Sequence, residues 1–242
     1  PIFEASAVVL RNVSRVFQRA NDSIHVLNLV SDGTLVYANG RVTCVDAYHV
    51  CHDQVPPHAL SVHLHGGTVL PGLTSYGSTL GLSDVPSESS ASNGQDPSLL
   101  TRHLYLDTKR LVPRAEDGLI FGGHALRRAH ASGVTTAVNV PATIGMFGGV
   151  STHFDTGART VLDAHSVRTS EVALHVRLAY PIDDHEPSLA TQLALLRSLL
   201  RNPPPGSVEW HRVSRGEWPL VVKTNAQDTV AKLILLLSLI HI

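Results

Sequence analysis

Charge of one sign is missing from this chain. Nineteen Lys and Arg stand against twenty Asp and Glu in 242 residues, leaving a net charge of -1. A protein so balanced carries no electrostatic footprint for nucleic acid or for an anionic membrane surface. Cysteine is nearly absent. Cys44 and Cys51 stand alone and seven apart, which supports neither a disulfide framework nor a four-ligand zinc site, and the expectation is two free, structural thiols. No charged-then-apolar segment opens the chain, so the sequons at Asn12 and Asn21 read as chance matches and a cytoplasmic location is expected. The chain begins at Pro1, which leaves an upstream segment open. The apolar stretch Val230 to Ile242 falls well short of the roughly 20 residues a membrane span needs. It reads as a buried helix, and the lack of a Gly, Asn or Pro stop after it suggests that the chain is a fragment. Nucleotide-binding glycine fingerprints, a Walker lysine and a Gly-x-Ser-x-Gly elbow are all missing, which removes the simplest phosphate-cradle and serine-hydrolase readings. The run around Gly148-Gly149 is then a place of close backbone packing.

What is present is glycine and proline, 18 and 14 of them, in a pattern that suggests a loop-rich globular enzyme scaffold. The first 67 residues read as short strands. Ala7 to Leu10 and Val26 to Val30 are apolar runs, and Asn39-Gly40 between Leu35-Val36-Tyr37 and Val42-Thr43-Cys44-Val45 is a hairpin signal, because a type I′ turn needs φ > 0 at both central residues. Prolines at 56 and 57 mark a loop.

From Thr68 onward strands alternate with helices, the pattern of a parallel sheet. Thr68 to Leu70 is an apolar strand. Residues 83 to 115 form a polar loop far longer than an ordinary βα connection, which in a compact domain is usually functional or flexible. Glu116-Asp117 place negative charge at a helix start, and Gly133 supplies a left-handed C-cap before the β-branched run Val134 to Val138. A second glycine-rich loop spans 145 to 157. Glu171 to Leu178 is a strand, Leu189, Leu193, Leu196 and Leu200 lie at helical spacing ahead of three prolines, and Leu220 to Val222 is a last strand.

The segment Gly66-Gly67-Thr68-Val69-Leu70-Pro71-Gly72-Leu73, followed at 131 to 138 by Ala-Ser-Gly-Val-Thr-Thr-Ala-Val, resembles the amidohydrolase superfamily, especially its imidazolonepropionase-like and N-acetylglucosamine-6-phosphate deacetylase-like branches. The resemblance implies an α/β fold: an incomplete TIM-like (β/α)₈ barrel over 68–242, stopping around its fourth or fifth strand, preceded by part of a small β-sandwich over 1–67. It implies a hydrolase of non-peptide carbon-nitrogen bonds that uses zinc or another divalent metal to activate water. The paired histidines that such proteins place after strand one fall here at Gly77 and Thr79, Ser75 stands where an aspartate is usual, and Lys223 stands at a later histidine. Glycine has no donor, a threonine hydroxyl replaces imidazole poorly, and a protonated lysine repels a divalent ion. A metal-bridging carboxylated lysine is the alternative role for Lys223.

The resemblance therefore points to a protein that is inactive as it stands. The alternative is a non-catalytic barrel that binds a small molecule or a partner, including another copy of itself. Candidate site-lining residues are Ser75, Ser78, His153, Asp155, Asp183, His185 and Lys223, because loops at the C-terminal face of such a barrel hold its chemistry. The His63-x-His65 pair precedes the motif, and its two rings fall on one face of a strand.

Overall fold

The computed structural model describes residues 7–20, 23–29, 32–85, 88–94, 112–143, 145–181 and 187–240. The chain divides into two compact units, Pro1–Gly72 and Leu73–Ile242.

The first unit is a five-stranded sheet. Its strands are β1 (Ala7–Ala20), β2 (Ser23–Asn28), β3 (Gly33–Ala38), β4 (Arg41–Ala47) and β5 (Leu60–Val69). They run in the order β2-β1-β3-β4, with β5 parallel to β1. The turn between β3 and β4 has φ of 52° at Asn39 and 79° at Gly40, the left-handed pair a type I′ hairpin needs. Strand β3 is buried from Gly33 to Val36, so both of its faces are covered. Val9 and Val36 pack on Cys51, and Val13, Val16 and Leu35 form a second cluster.

Two expectations change in this unit. Thr68 and Val69, read as the opening of the barrel, are the end of β5 and pair with Arg15 and Val16. Cys44 and Cys51, read as free thiols, form a disulfide with Cα atoms 5.7 Å apart. The connection after β4 folds at once into a single helical turn, α1 (Tyr48–Cys51). That turn brings the fully buried Cys51 back beside the strand carrying Cys44, which spacing alone does not reveal.

The second unit begins with β6 (Leu73–Tyr76), just past Pro71-Gly72. It continues through α2 (His124–Ala131), β7 (Val134–Asn139), β8 (Phe147–Val150), β9 (Thr152–Asp155), β10 (Val167–Thr169) and β11 (Leu174–Arg177). Then come α3 (Leu189–Arg201), α4 (Val208–Ser214), β12 (Leu220–Lys223) and α5 (Gln227–Ile240). Strand β6 is parallel to β7, and β11 is parallel to β12. Between these two parallel pairs lie β8 and β9, separated by Ser151 alone, with β9 antiparallel to β7 and β8 antiparallel to β11.

The stretch expected as a glycine-rich loop, 145 to 157, is thus largely strand. Pairing on the sheet overrides the poor strand propensity of glycine. Gly148 and Gly149 are needed for closeness: a Cβ on Gly149 would stand 2.2 Å from the Pro113 carbonyl oxygen, and φ there is 86°.

Helix α2 starts at His124, eight residues after Glu116, whose segment is a 3₁₀ turn (Ala115–Gly118). Its first amide groups are capped from a distance by Asp84, whose carboxylate accepts from the His124 (2.9 Å) and Ala125 N–H groups. These bonds, Ala125 first, hold the Asp84 carboxyl below its ordinary pKa. Gly133, at φ 90°, ends the helix and leads into β7 as the sequence leads one to expect.

The main core lies behind β11 and β12. Leu174, Val176, Leu220 and Val222 pack with Leu196, Leu200, Trp210, Val213, Leu233 and Leu236 from α3, α4 and α5. Helix α5 is buried along one face only, at Thr229, Leu233 and Leu236, while Ile234 and Leu235 are exposed. No described helix is long and apolar enough to cross a membrane.

Below β11, the Glu171 carboxylate joins Arg114 and Arg212 (2.8 Å), and Arg212 lies 4.3 Å over the Trp218 ring. Burial raises the Glu171 pKa, but the hydrogen bonds from Arg212 and Arg114 outweigh it and the net shift is downward. At the other end of β11 Gln192 (5% exposed) clamps the exit, donating from Nε2 to the carbonyls of Ala179 and Pro187, both at 2.8 Å.

Candidate functional site

The C-terminal ends of β6, β7, β11 and β12 converge on a cavity of about 570 Å³. Each strand contributes the residues at its exit: Gly77, Ser78 and Thr79 after β6, Val140 to Thr143 after β7, His175 to Arg177 on β11, and Lys223 on β12. The reason is the period of two along a strand. Leu174 and Val176 turn to the core, so His175 and Arg177 take the other face. In the parallel register His175 lies beside Val221 and Arg177 beside Lys223. Leu82, Ser83, Ser92, Gly94 and Gly148 complete the wall.

A chain of hydroxyls and one amide fixes the exit of β6. Ser75 Oγ donates to Ser78 Oγ (2.9 Å), and Ser78 Oγ donates to Asn139 Oδ1 (3.2 Å). The fully buried Asn139 donates from Nδ2 to the Leu80 carbonyl, and the Gly77 N–H donates to the Val138 carbonyl at 2.9 Å. Ser75 and Ser78 are therefore engaged in holding the loop. Gly77 sits at φ 68° with open space where a Cβ would point.

His175 is the imidazole of the cavity wall. It is 8% exposed, its Nε2 has no hydrogen-bond partner, and its ring stacks on Tyr76 with centroids 6.2 Å apart. Burial pushes its pKa down to about 4, so the ring is neutral at pH 7. Burial also raises the Tyr76 phenol above its ordinary value. Lys223 is an exposed residue at the end of β12 with no salt bridge among the described residues.

The candidates from the sequence divide in three. Gly77, Ser78, Thr79 and Lys223 line the cavity, and Ser75 supports it through Ser78. His153 and Asp155 lie on β9, opposite Val138 and Thr136 of β7. Asp155 bonds Arg168 (2.9 Å) and the Gly157 N–H (2.9 Å). The His153 pKa is lowered by burial and then by Arg168. Neither residue belongs to the cavity wall. Asp183 and His185 lie outside the described residues. His175 and Arg177 were not singled out from the sequence, although the alternation Leu174-His175-Val176-Arg177 places two polar side chains on the face opposite a core.

The described residues of this wall do not make a site for zinc or another divalent ion. Gly77 offers no donor, Ser75 and Ser78 are engaged with each other and with Asn139, Lys223 is cationic, and His175 supplies a single imidazole. No group of three or more His, Cys, Asp or Glu among the described residues could hold a metal ion.

No protein-family model matches the chain. In sequence it is similar to the amidohydrolase tasK of Hapsidospora irregularis, with 32% identity over 189 residues, covering 72% of this chain and 17% of that protein. In structure it is similar to the crystal structure of an amidohydrolase from Thermotoga maritima MSB8. The TM-score is 0.71 at 17% identity, covering 97% of this chain and 62% of the other. The chain thus spans less than two thirds of each relative. These likenesses relate it to amidohydrolases in sequence and give it the fold of one.

Proposed function

We propose that this chain is an amidohydrolase-superfamily protein, a hydrolase of non-peptide carbon-nitrogen bonds by descent, whose described barrel strands keep the pocket of such an enzyme without its strand-one metal site. Within the superfamily, the Gly-Gly-Thr-Val-Leu-Pro-Gly-Leu segment favours the imidazolonepropionase-like and N-acetylglucosamine-6-phosphate deacetylase-like branches. Leu73–Ile242 then corresponds to the first part of a (β/α)₈ barrel, with β6, β7, β11 and β12 as its parallel strands and β8 to β10 as an antiparallel insertion. The observation that carries the reading is the cavity at the four strand ends. It stands where a barrel of this class keeps its chemistry, and it is walled by Gly77, Thr79 and Lys223 in place of metal ligands.

Metal-dependent hydrolysis needs a bound ion to bring a water's pKa toward neutrality. Without ligands, this chain as it stands does not hydrolyse. The test is metal content by mass spectrometry together with assays on cyclic amides, N-acetyl sugars and dipeptide-like compounds. Metal well below one ion per chain and no turnover are expected. Stoichiometric metal with turnover would overturn the proposal.

A further inference from the structure

We infer that the cavity binds a small organic carboxylate, its charged group held at Lys223 and its body lying against Leu82, Val140, Pro141 and Ala142. The inference rests on reading these strand ends as a pocket without a metal.

Three observations carry it. The first is charge. Among the described residues no Asp or Glu lines the cavity, and Lys223 stands at its wall at the end of β12. A lysine ammonium with no salt bridge among the described residues is a point charge for an anion. The second is size and surface. About 570 Å³ falls in the range of sites for small organic molecules and is far larger than an inorganic ion needs. Apart from the two cations, the wall is made of short apolar side chains, glycines, hydroxyls and a buried imidazole. Such a wall suits a molecule with an apolar body and one charged end.

The third is polar groups left unpaired. Among the described residues three buried side-chain polar atoms have no hydrogen-bond partner: Ser83 Oγ, His153 Nε2 and His175 Nε2. Two of the three belong to residues of this cavity wall. Native structures rarely leave such groups unpaired, and a bound molecule or its water is an ordinary reason for an exception. The same wall that rejects a divalent cation is therefore suited to a molecule of the opposite charge.

Titration calorimetry with matched pairs differing only in charge tests this: acetate and acetamide, phenylacetate and phenylacetamide, hippurate and hippuramide, each with and without EDTA. At least one carboxylate should bind about tenfold more tightly than its amide, as expected for a charge-assisted contact. Lys223→Gln should abolish that preference, and Lys223→Arg should keep it. Lys223 is exposed at a strand end, so both variants should fold, which circular dichroism checks. If no carboxylate exceeds its amide, or Lys223→Gln leaves the preference intact, the inference is overturned while the reading of a metal-free pocket survives. If EDTA abolishes carboxylate binding, an ion holds the carboxylate and both readings fall.

Discussion

Acidification should weaken the second unit through His175. In an unfolded chain an imidazole takes up a proton near pH 6.5, but in the fold His175 does so only near 4, because the ring is buried. Between those two values the unfolded chain holds more protons than the folded one, so stability falls as pH falls. The sign follows from the neutral ring being the native form: above pH 6.5 the histidine costs nothing, and below it the cost grows until the native ring also protonates. With these two values the loss is about 2 kcal/mol between pH 7 and pH 5, and about 3 kcal/mol by pH 4.

Urea unfolding followed by tryptophan fluorescence measures this in the right place, since Trp210 and Trp218 both lie in the core of this unit. The control is His175→Phe, which keeps a flat ring against Tyr76 and brings no nitrogen to leave unpaired. The variant should be at least as stable at pH 7 and should lack the 2 kcal/mol loss. His153, whose pKa is also lowered, stays in both proteins and cancels in the comparison. A His175 ring titrating near 6.5 by NMR, or an equal acid loss in wild type and variant, would refute the reasoning.

Other perturbations follow from the packing. Asn139→Ala removes the amide that joins Ser78 to Leu80 and should cost about 2 kcal/mol in urea unfolding, as expected for a buried polar network left half-paired. Gly149→Ala forces a Cβ against the Pro113 carbonyl at a left-handed φ and should cost about 3 kcal/mol. A Cys44→Ser/Cys51→Ser double variant opens a short disulfide loop and should lower the stability of the first unit by about 2–3 kcal/mol on a chain-entropy basis, measured by far-UV circular dichroism. Unchanged stability under reducing and oxidising conditions would contradict the bond.

Local signals in the sequence carried over well where a single residue type has a single physical use. Asn39-Gly40 gave the hairpin, Gly133 the end of α2, and the leucines from 189 to 200 a helix that begins at a Ser188 cap. They failed where a partner distant in sequence decides. The helix start was misplaced because its cap is Asp84, 40 residues upstream of His124. The run 145 to 157 was misread because β7 and β11 recruit it as strand despite its glycines. The disulfide was missed because the helical turn that closes it cannot be read from spacing. Of the residues on the cavity wall, Gly77, Thr79 and Lys223 were marked in the sequence by their motif positions and Ser78 as their neighbour. His175 was not, since a histidine in an alternating strand is usually a surface or core residue. Only the pairing of β11 with β12, and the stacking on Tyr76, reveal that it lines the same cavity.

The four strand ends are proposed to form a pocket without a bound metal. Equilibrium dialysis of the chain against zinc, followed by elemental mass spectrometry, tests it most directly. Retained zinc should lie well below one ion per chain and be unchanged in Lys223→Gln. One or more zinc ions held tightly per chain, and lost when His175 is replaced, would contradict it.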